Sequence, residues 1–244
     1  MTGWLAIAGL GPGAEGMITP EVSAALDDAD AVLGYAPYVA RVAPRPGLAR
    51  HATDNRQELD RARHALDLAA AGQRVVVVSS GDPGVFAMAA AVFEALEDRP
   101  DRHGLDIRVL PGITAMLAAA AAAGAPLGHD FCVINLSDNL KPWAVIEHRL
   151  RLAVQADFAL ALYNPRSRAR PDGFGRALDL LRESCPEDRL VIFARAVSTP
   201  GQRVATLPLS QARPEMADMR TLVILGNSMT RRVGRWVYTP RSMP

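Results

Sequence analysis

Cysteine is scarce: Cys132 and Cys185 are the only two among 244 residues, too few for a disulfide framework or a zinc-binding set. A reducing compartment follows, and the cytoplasm is the expected location. Lysine is scarcer still, with Lys141 alone against 26 arginines, the 27 basic residues less one. Arginine presents a planar fork suited to carboxylates, although genomic base bias in an alanine-rich chain produces the same excess. Bulk charge is missing too, because 27 basic and 26 acidic residues leave a net +1. That gives no field to draw in nucleic acid or an anionic membrane. Long apolar runs are absent, none nearing the ~20 residues that cross a bilayer, and no basic segment precedes the first short one. Neither secretion nor membrane insertion is expected.

What remains is ordinary globular composition, 49% hydrophobic and 22% charged, at a length that predicts one large or two modest domains. The first half alternates short apolar runs with helical patterns. Residues 4–10 read as a strand running into the glycine-rich turn GLGPG. Thr19, Pro20 and Glu21 then supply an N-cap, a proline at the first helical position and an acid in the first turn, for a helix to about Ala29. A strand at 31–34 and a helix carrying Leu59, Ala62, Leu66 and Ala69 on one face follow. Val75 to Ser80 lacks polar alternation, as a strand buried on both faces should. Val85, Ala89, Val92 and Leu96 make the next helical stripe, and residues 107–110 a further strand. Five strands with helical crossovers are expected in a first domain over residues 1–112.

For the second domain, residues 113–244, helix is predicted over 114–123, stopped by Gly124-Ala125-Pro126. Apolar runs at 131–136, 158–163, 190–194, 204–207 and 221–225 predict strands, with helices at 143–154 and 174–183. Short connections between late strands predict antiparallel pairing, hence a mixed sheet. The fold class is therefore α/β, with a mostly parallel N-terminal sheet and a mixed C-terminal one.

Two loops stand where open α/β sheets bind ligands, at strand carboxyl ends. Gly9-Leu10-Gly11-Pro12-Gly13 is a poor dinucleotide fingerprint, because Pro12 removes a donor and no acid closes a second strand at the right distance. Ser79-Ser80-Gly81-Asp82-Pro83-Gly84 lets a ligand approach the backbone, and Asp82 can accept from an ammonium or hydroxyl group. An ordinary strand-to-helix turn capped by Asp82 explains that loop equally well when it is taken alone.

Taken together, the motifs point further. GLGPG, SSGDPGVFAM, PGITA at residues 111–115, NLSDNLKPW at 135–143 and LYNPRSRAR at 162–170 resemble the tetrapyrrole methyltransferase family in the same order over nearly the whole chain. LSD…PW and YNPRSR are similar to its C17-methylating, ring-contracting branch in cobalamin synthesis. The resemblance implies two domains with S-adenosylmethionine in the cleft between them, S-adenosylhomocysteine as product, precorrin-3B as substrate and a homodimer. A cobalt-containing substrate, or a non-catalytic module binding the same ligands, is the alternative. Carried over by motif, the cofactor residues are Pro12, Ser80, Gly81, Asp82, Val85, Thr114, Ala115, Asn164 and Ala196. No metal site is implied.

Where some relatives have an aspartate base, this chain has Tyr35, a phenol better suited to donating a hydrogen bond than to abstracting a proton at neutral pH. Asp82, His129 and Asp138 are the other acid–base candidates, His129 being more readily read as a capping or solvent-facing residue before a strand. Arg56, Lys141, Arg166, Arg168 and Arg170 are candidates for the substrate's rim carboxylates, the last three also being readable as a solvated loop.

Overall fold

The computed structural model describes residues 3–54 and 57–242, and the chain forms two compact units, one ending at Thr114 and the other starting at Ala115. The first contains β1 (Trp4–Gly9), α1 (Pro20–Asp28), β2 (Ala31–Tyr35), α2 (Ala36–Val39), β3 (Ala49–Thr53), α3 (Glu58–Ala70), β4 (Arg74–Ser79), α4 (Met88–Glu97) and β5 (Asp106–Leu110). Its sheet runs β3-β2-β4-β1-β5 with every pair parallel, so all its carboxyl ends share one edge. Alternate side chains of β1 and β4 face opposite ways. Leu5, Ile7, Val75 and Val77 pack with Ala62 and Leu66 of α3 and Val92 of α4. Ala6, Ala8, Val76 and Val78 pack with Val22 of α1 and Val39 of α2.

One expectation needs correction. The α4 stripe does not begin at Val85, because Phe86 takes a left-handed φ of 53° and the helix starts at Met88, whose N–H donates to Ser79 Oγ at 3.3 Å. The fifth strand, β3, has the sequence ARHAT and a largely exposed surface. As an edge strand it carries no apolar run to betray it. Arg56 lies outside the described residues.

The second unit contains α5 (Ala115–Ala123), β6 (Gly124–Ala125), β7 (Phe131–Asn135), α6 (Trp143–Gln155), β8 (Ala159–Tyr163), α7 (Gly173–Ser184), β9 (Leu190–Arg195), β10 (Arg203–Pro208), β11 (Thr221–Leu225), β12 (Arg231–Val233) and β13 (Trp236–Tyr238). The main sheet, β10-β9-β11-β8-β7, is mixed: β7 and β8 are parallel, while β11 opposes both β8 and β9, and β10 opposes β9. Consequently β7, β8 and β9 end at one edge. Ile146 and Leu150 of α6 and Phe174, Leu178 and Leu181 of α7 cover one face, with Phe174 edge-on to Phe193 at 5.9 Å. The alanines of α5 let it lie close against β9, β10 and β11. A small sheet, β12-β13-β6, lies outside the expected elements. Among the described residues no helix is long and apolar enough to cross a membrane.

Arg74, opening β4, donates to Asp30, just before β2, from its backbone N–H at 2.9 Å, Nε at 3.0 Å and a terminal nitrogen at 2.6 Å. These bonds hold the Asp30 carboxyl at about 2, below its ordinary 3.8. Because folding lowers this pKa, the contribution is full above pH 3.8 and fades as pH falls toward 2. The pair is partly exposed, so the effect is small. Urea unfolding across that window should show Asp30→Asn losing less stability on acidification than the unsubstituted chain, and parallel slopes would contradict the assignment.

Candidate active site

In the first unit the exits of β1, β4 and β5 meet backbone to backbone. Leu10 N–H donates to Ser79 carbonyl at 2.8 Å, and Gly11 and Gly81 exchange N–H···O=C bonds at 3.1 and 2.9 Å. A Cβ on Gly9 would lie 2.5 Å from the Gly81 carbonyl oxygen and 2.8 Å from Gly112 Cα, and one on Gly112 would strike Gly81 and Gly9 in turn. Only glycine fits at these two positions, so GLGPG, GDPG and the Pro111-Gly112 turn form one platform at the carboxyl edge.

Asp82 fastens this platform. Its Oδ1 accepts from Gly84 N–H at 2.8 Å and its Oδ2 from Gly112 N–H at 3.0 Å, so one carboxylate spans two loops. That goes beyond a cap on the next helix, because Gly112 is thirty residues away in sequence. Pro12, Ser80 and Val85 are half-buried, Gly81 is buried and Thr114 is 5% exposed. Tyr35 ends β2 on the same edge, its ring edge-on to Tyr38 at 5.3 Å. Burial, then the neighbouring Tyr35, pushes the Tyr38 phenol up.

One residue of this edge escaped the sequence reading. Arg41, beyond α2, donates to the carbonyls of Leu10, Gly11 (3.1 Å) and Gly13 (3.3 Å), wrapping the first glycine loop. Nothing in its sequence neighbourhood marks it, since the contact is made some thirty residues back along the chain.

In the second unit, the ends of β7, β8 and β9 gather a second group. Asn135 Oδ1 accepts from Ser137 N–H at 2.9 Å and from the Asn164 amide at 3.1 Å, while Tyr163 hydroxyl accepts from Met116 N–H at 3.0 Å. Asn164 and Ala196 both have left-handed backbones, φ 51° and 50°. Strained non-glycine residues of this kind cluster at functional sites, and here they follow the ends of β8 and β9. Ala115 opens α5. Arg170 is 13% exposed and turned inward, 4.0 Å from Asp138 and donating to the Asn164 carbonyl at 3.4 Å, so much of its donor capacity is spent on its own loop. Arg166 gives Nε to the Pro171 carbonyl at 3.2 Å, Arg168 is exposed, and burial presses the Lys141 ammonium down.

His129 is not brought to this edge. It precedes β7 at the amino end, where its Nδ1 accepts from Asp130 N–H at 2.7 Å, about 20 Å of extended chain from Asn135. No group of three or more metal-ligating side chains occurs among the described residues.

The left-handed alanine offers a test. Ala196→Gly removes a Cβ penalty of about 1–2 kcal/mol, offset in part by the freer unfolded chain. The variant is expected to gain about 0.5–1 kcal/mol in denaturant unfolding; a loss would show that the alanine methyl, which is 8% exposed with its residue, contributes packing that outweighs the strain.

The chain is similar to several known proteins. The family model described as Tetrapyrrole (Corrin/Porphyrin) Methylases matches residues 5–213. A precorrin-3B C(17)-methyltransferase from Sinorhizobium sp is 53% identical over 99% of this chain and 97% of its own length. A probable cobalt-factor III C(17)-methyltransferase from Salmonella typhimurium is 39% identical over 97% of this chain and 98% of its own. The crystal structure of the methyltransferase CobJ superimposes with a TM-score of 0.96 at 67% identity, covering 98% of this chain and all of that one.

Proposed function

The chain belongs to the tetrapyrrole (corrin/porphyrin) methylases, and from that premise we propose that it methylates C17 of precorrin-3B with S-adenosylmethionine and contracts the macrocycle in cobalamin synthesis. The observation that carries the reading is the glycine platform of the first unit with Asp82 fastened across it.

The residues at that platform suit the donor's methionine end, which presents an ammonium and a carboxylate. Asp82 keeps unused lone pairs on both oxygens after accepting two N–H groups. Ser80 adds a hydroxyl. Gly84 is exposed, and a Cβ there would meet nothing nearer than Asp82 Oδ1 at 3.2 Å, so a ligand can approach the backbone. When bound, S-adenosylmethionine supplies a methyl group on a cationic sulfur, needing no covalent nucleophile from the protein. The chain's task is then positioning, because in-line geometry alone accounts for much of the acceleration of such transfers.

Ring contraction adds proton movements, for which Tyr35 and Asp138 are the side chains at the two strand edges. Tyr35 would act as a hydrogen-bond donor to a substrate oxygen. Asp138, exposed beside Arg170, would accept a proton. Arg166 and Arg168 keep free N–H groups for the rim carboxylates, with Lys141 as a point charge in support. His129, at the other end of β7, has no part in this reading.

The test is incubation of the purified protein with precorrin-3B and labelled S-adenosylmethionine, followed by mass spectrometry and NMR of the product. One added methyl at C17, with the former C20 bridge carbon retained as an acetyl group, is the expected result. Because a 39% identical relative of matching length bears the name of a cobalt-factor III enzyme, the cobalt-containing substrate is run alongside, and turnover of it alone reassigns the substrate. Ligand binding without release of S-adenosylhomocysteine from either would identify a non-catalytic module.

A further inference from the structure

Pro12 leaves the first glycine loop short of a donor, since proline has no N–H with which to close its own turn. The carbonyls of Leu10, Gly11 and Gly13 instead converge on one guanidinium, that of Arg41. The Leu10–Gly11 peptide is engaged at both ends: its carbonyl accepts from Arg41, and its N–H donates to the Gly81 carbonyl at 3.1 Å. A hydrogen-bonded chain therefore runs from Arg41 through one peptide into the turn that carries Asp82, each bond polarising the next. On its other side Arg41 N–H donates to the Tyr38 carbonyl at 3.0 Å, and Tyr38 packs edge-on to Tyr35.

We propose that Arg41 is a positioning residue for methyl transfer, holding the first glycine loop and, through the Leu10–Gly11 peptide, the Gly81–Gly84 turn in the shape that receives the methyl donor. The inference rests on the reading of those loops as the donor site. Among the described residues no carboxylate lies within ion-pair distance of Arg41, so its charge is directed to the loop. Burial accordingly lowers its proton affinity, a cost that a purely surface arginine avoids.

Calorimetric titration of S-adenosylhomocysteine into the full chain, Arg41→Lys and Arg41→Met, paired with thermal melts and steady-state kinetics, tests this. Loss of charge-assisted bonds to the loop in Arg41→Met should weaken binding about 30-fold. Lysine keeps the charge but not the fork and should restore part of the affinity. The KM for S-adenosylmethionine should rise while the KM for the tetrapyrrole stays put, a split that general destabilisation does not produce. Should Arg41→Met fail to fold, Arg41→Lys carries the same comparison with a smaller expected loss. Unsubstituted affinity in the folded variants, with only the melting temperature lowered, overturns the role of Arg41 and leaves the donor site standing. Absence of binding by the unsubstituted chain overturns the donor site itself, and this inference with it.

Discussion

Replacing Asp82 with alanine is expected to cost about 2 kcal/mol of stability and to weaken S-adenosylhomocysteine binding by roughly 100-fold. The carboxylate accepts from both the Gly84 and the Gly112 N–H groups, and orphaning a partly buried N–H such as that of Gly112 costs about 1–3 kcal/mol. If the loops keep their places, stability bears that cost. If they part to reach water, the platform opens and binding bears it. Asp82→Asn separates the two, because the amide has one acceptor oxygen and must turn an NH2 toward the second N–H. It should fall between the unsubstituted chain and alanine in both melts and calorimetry. An alanine variant that binds as tightly as the unsubstituted chain would remove Asp82 from the site altogether.

The asymmetry between the two termini of this carboxylate also shows what could be read from sequence. The bond to Gly84 lies two residues away, inside a turn whose composition announces it. The bond to Gly112 spans thirty positions and exists because parallel β1 sits between β4 and β5, bringing GDPG and PG together. Sequence marks both loops as special but not as neighbours. Strands with an apolar run on both faces, such as Val75 to Ser79, were legible for the same reason that they are central. β3 was not, since Ala49, Arg50 and Ala52 are exposed on a sheet edge with little to bury. Val85 illustrates a different failure: its apolar side chain fits the spacing of Ala89, Val92 and Leu96, yet the left-handed backbone of the next residue, Phe86, leaves it in the preceding loop.

Candidate chemistry divided along similar lines. Asn164 and Ala196 were identified by motif, and their shared left-handed backbone is something that no residue type signals. His129 has the side chain of an acid–base residue but stands before β7, whereas Asn135, Tyr163 and Asn164 stand at strand ends. A residue's place on a strand decides which edge it serves, and a motif reading that weighs side chains alone misses that. Arg170 is the intermediate case, basic and near the edge, but committed to Asn164 and Asp138.

The sharpest steric test contrasts two glycines that a sequence reader would treat alike. Gly112→Ala is expected to lower stability by about 3 kcal/mol, a fall of roughly 10 °C in melting temperature for a chain of this size, and to abolish S-adenosylhomocysteine binding. Neither Gly112 nor Gly84 has a left-handed backbone, so conformational freedom is not at issue and the difference is space alone. At Gly112 the new methyl meets the Gly81 and Gly9 backbones, the latter at 2.8 Å through its carbonyl oxygen, and no side chain can rotate aside to admit it. At Gly84 it meets only Asp82 Oδ1 at 3.2 Å, the end of a side chain able to yield a few tenths of an ångström. Gly84→Ala should therefore fold nearly as well as the unsubstituted chain and lose affinity only where its methyl intrudes on a ligand. Equal melting temperatures for the two variants would mean that the three strand exits are not in contact, and that the fastening by Asp82 has to be sought in some other arrangement of the loops.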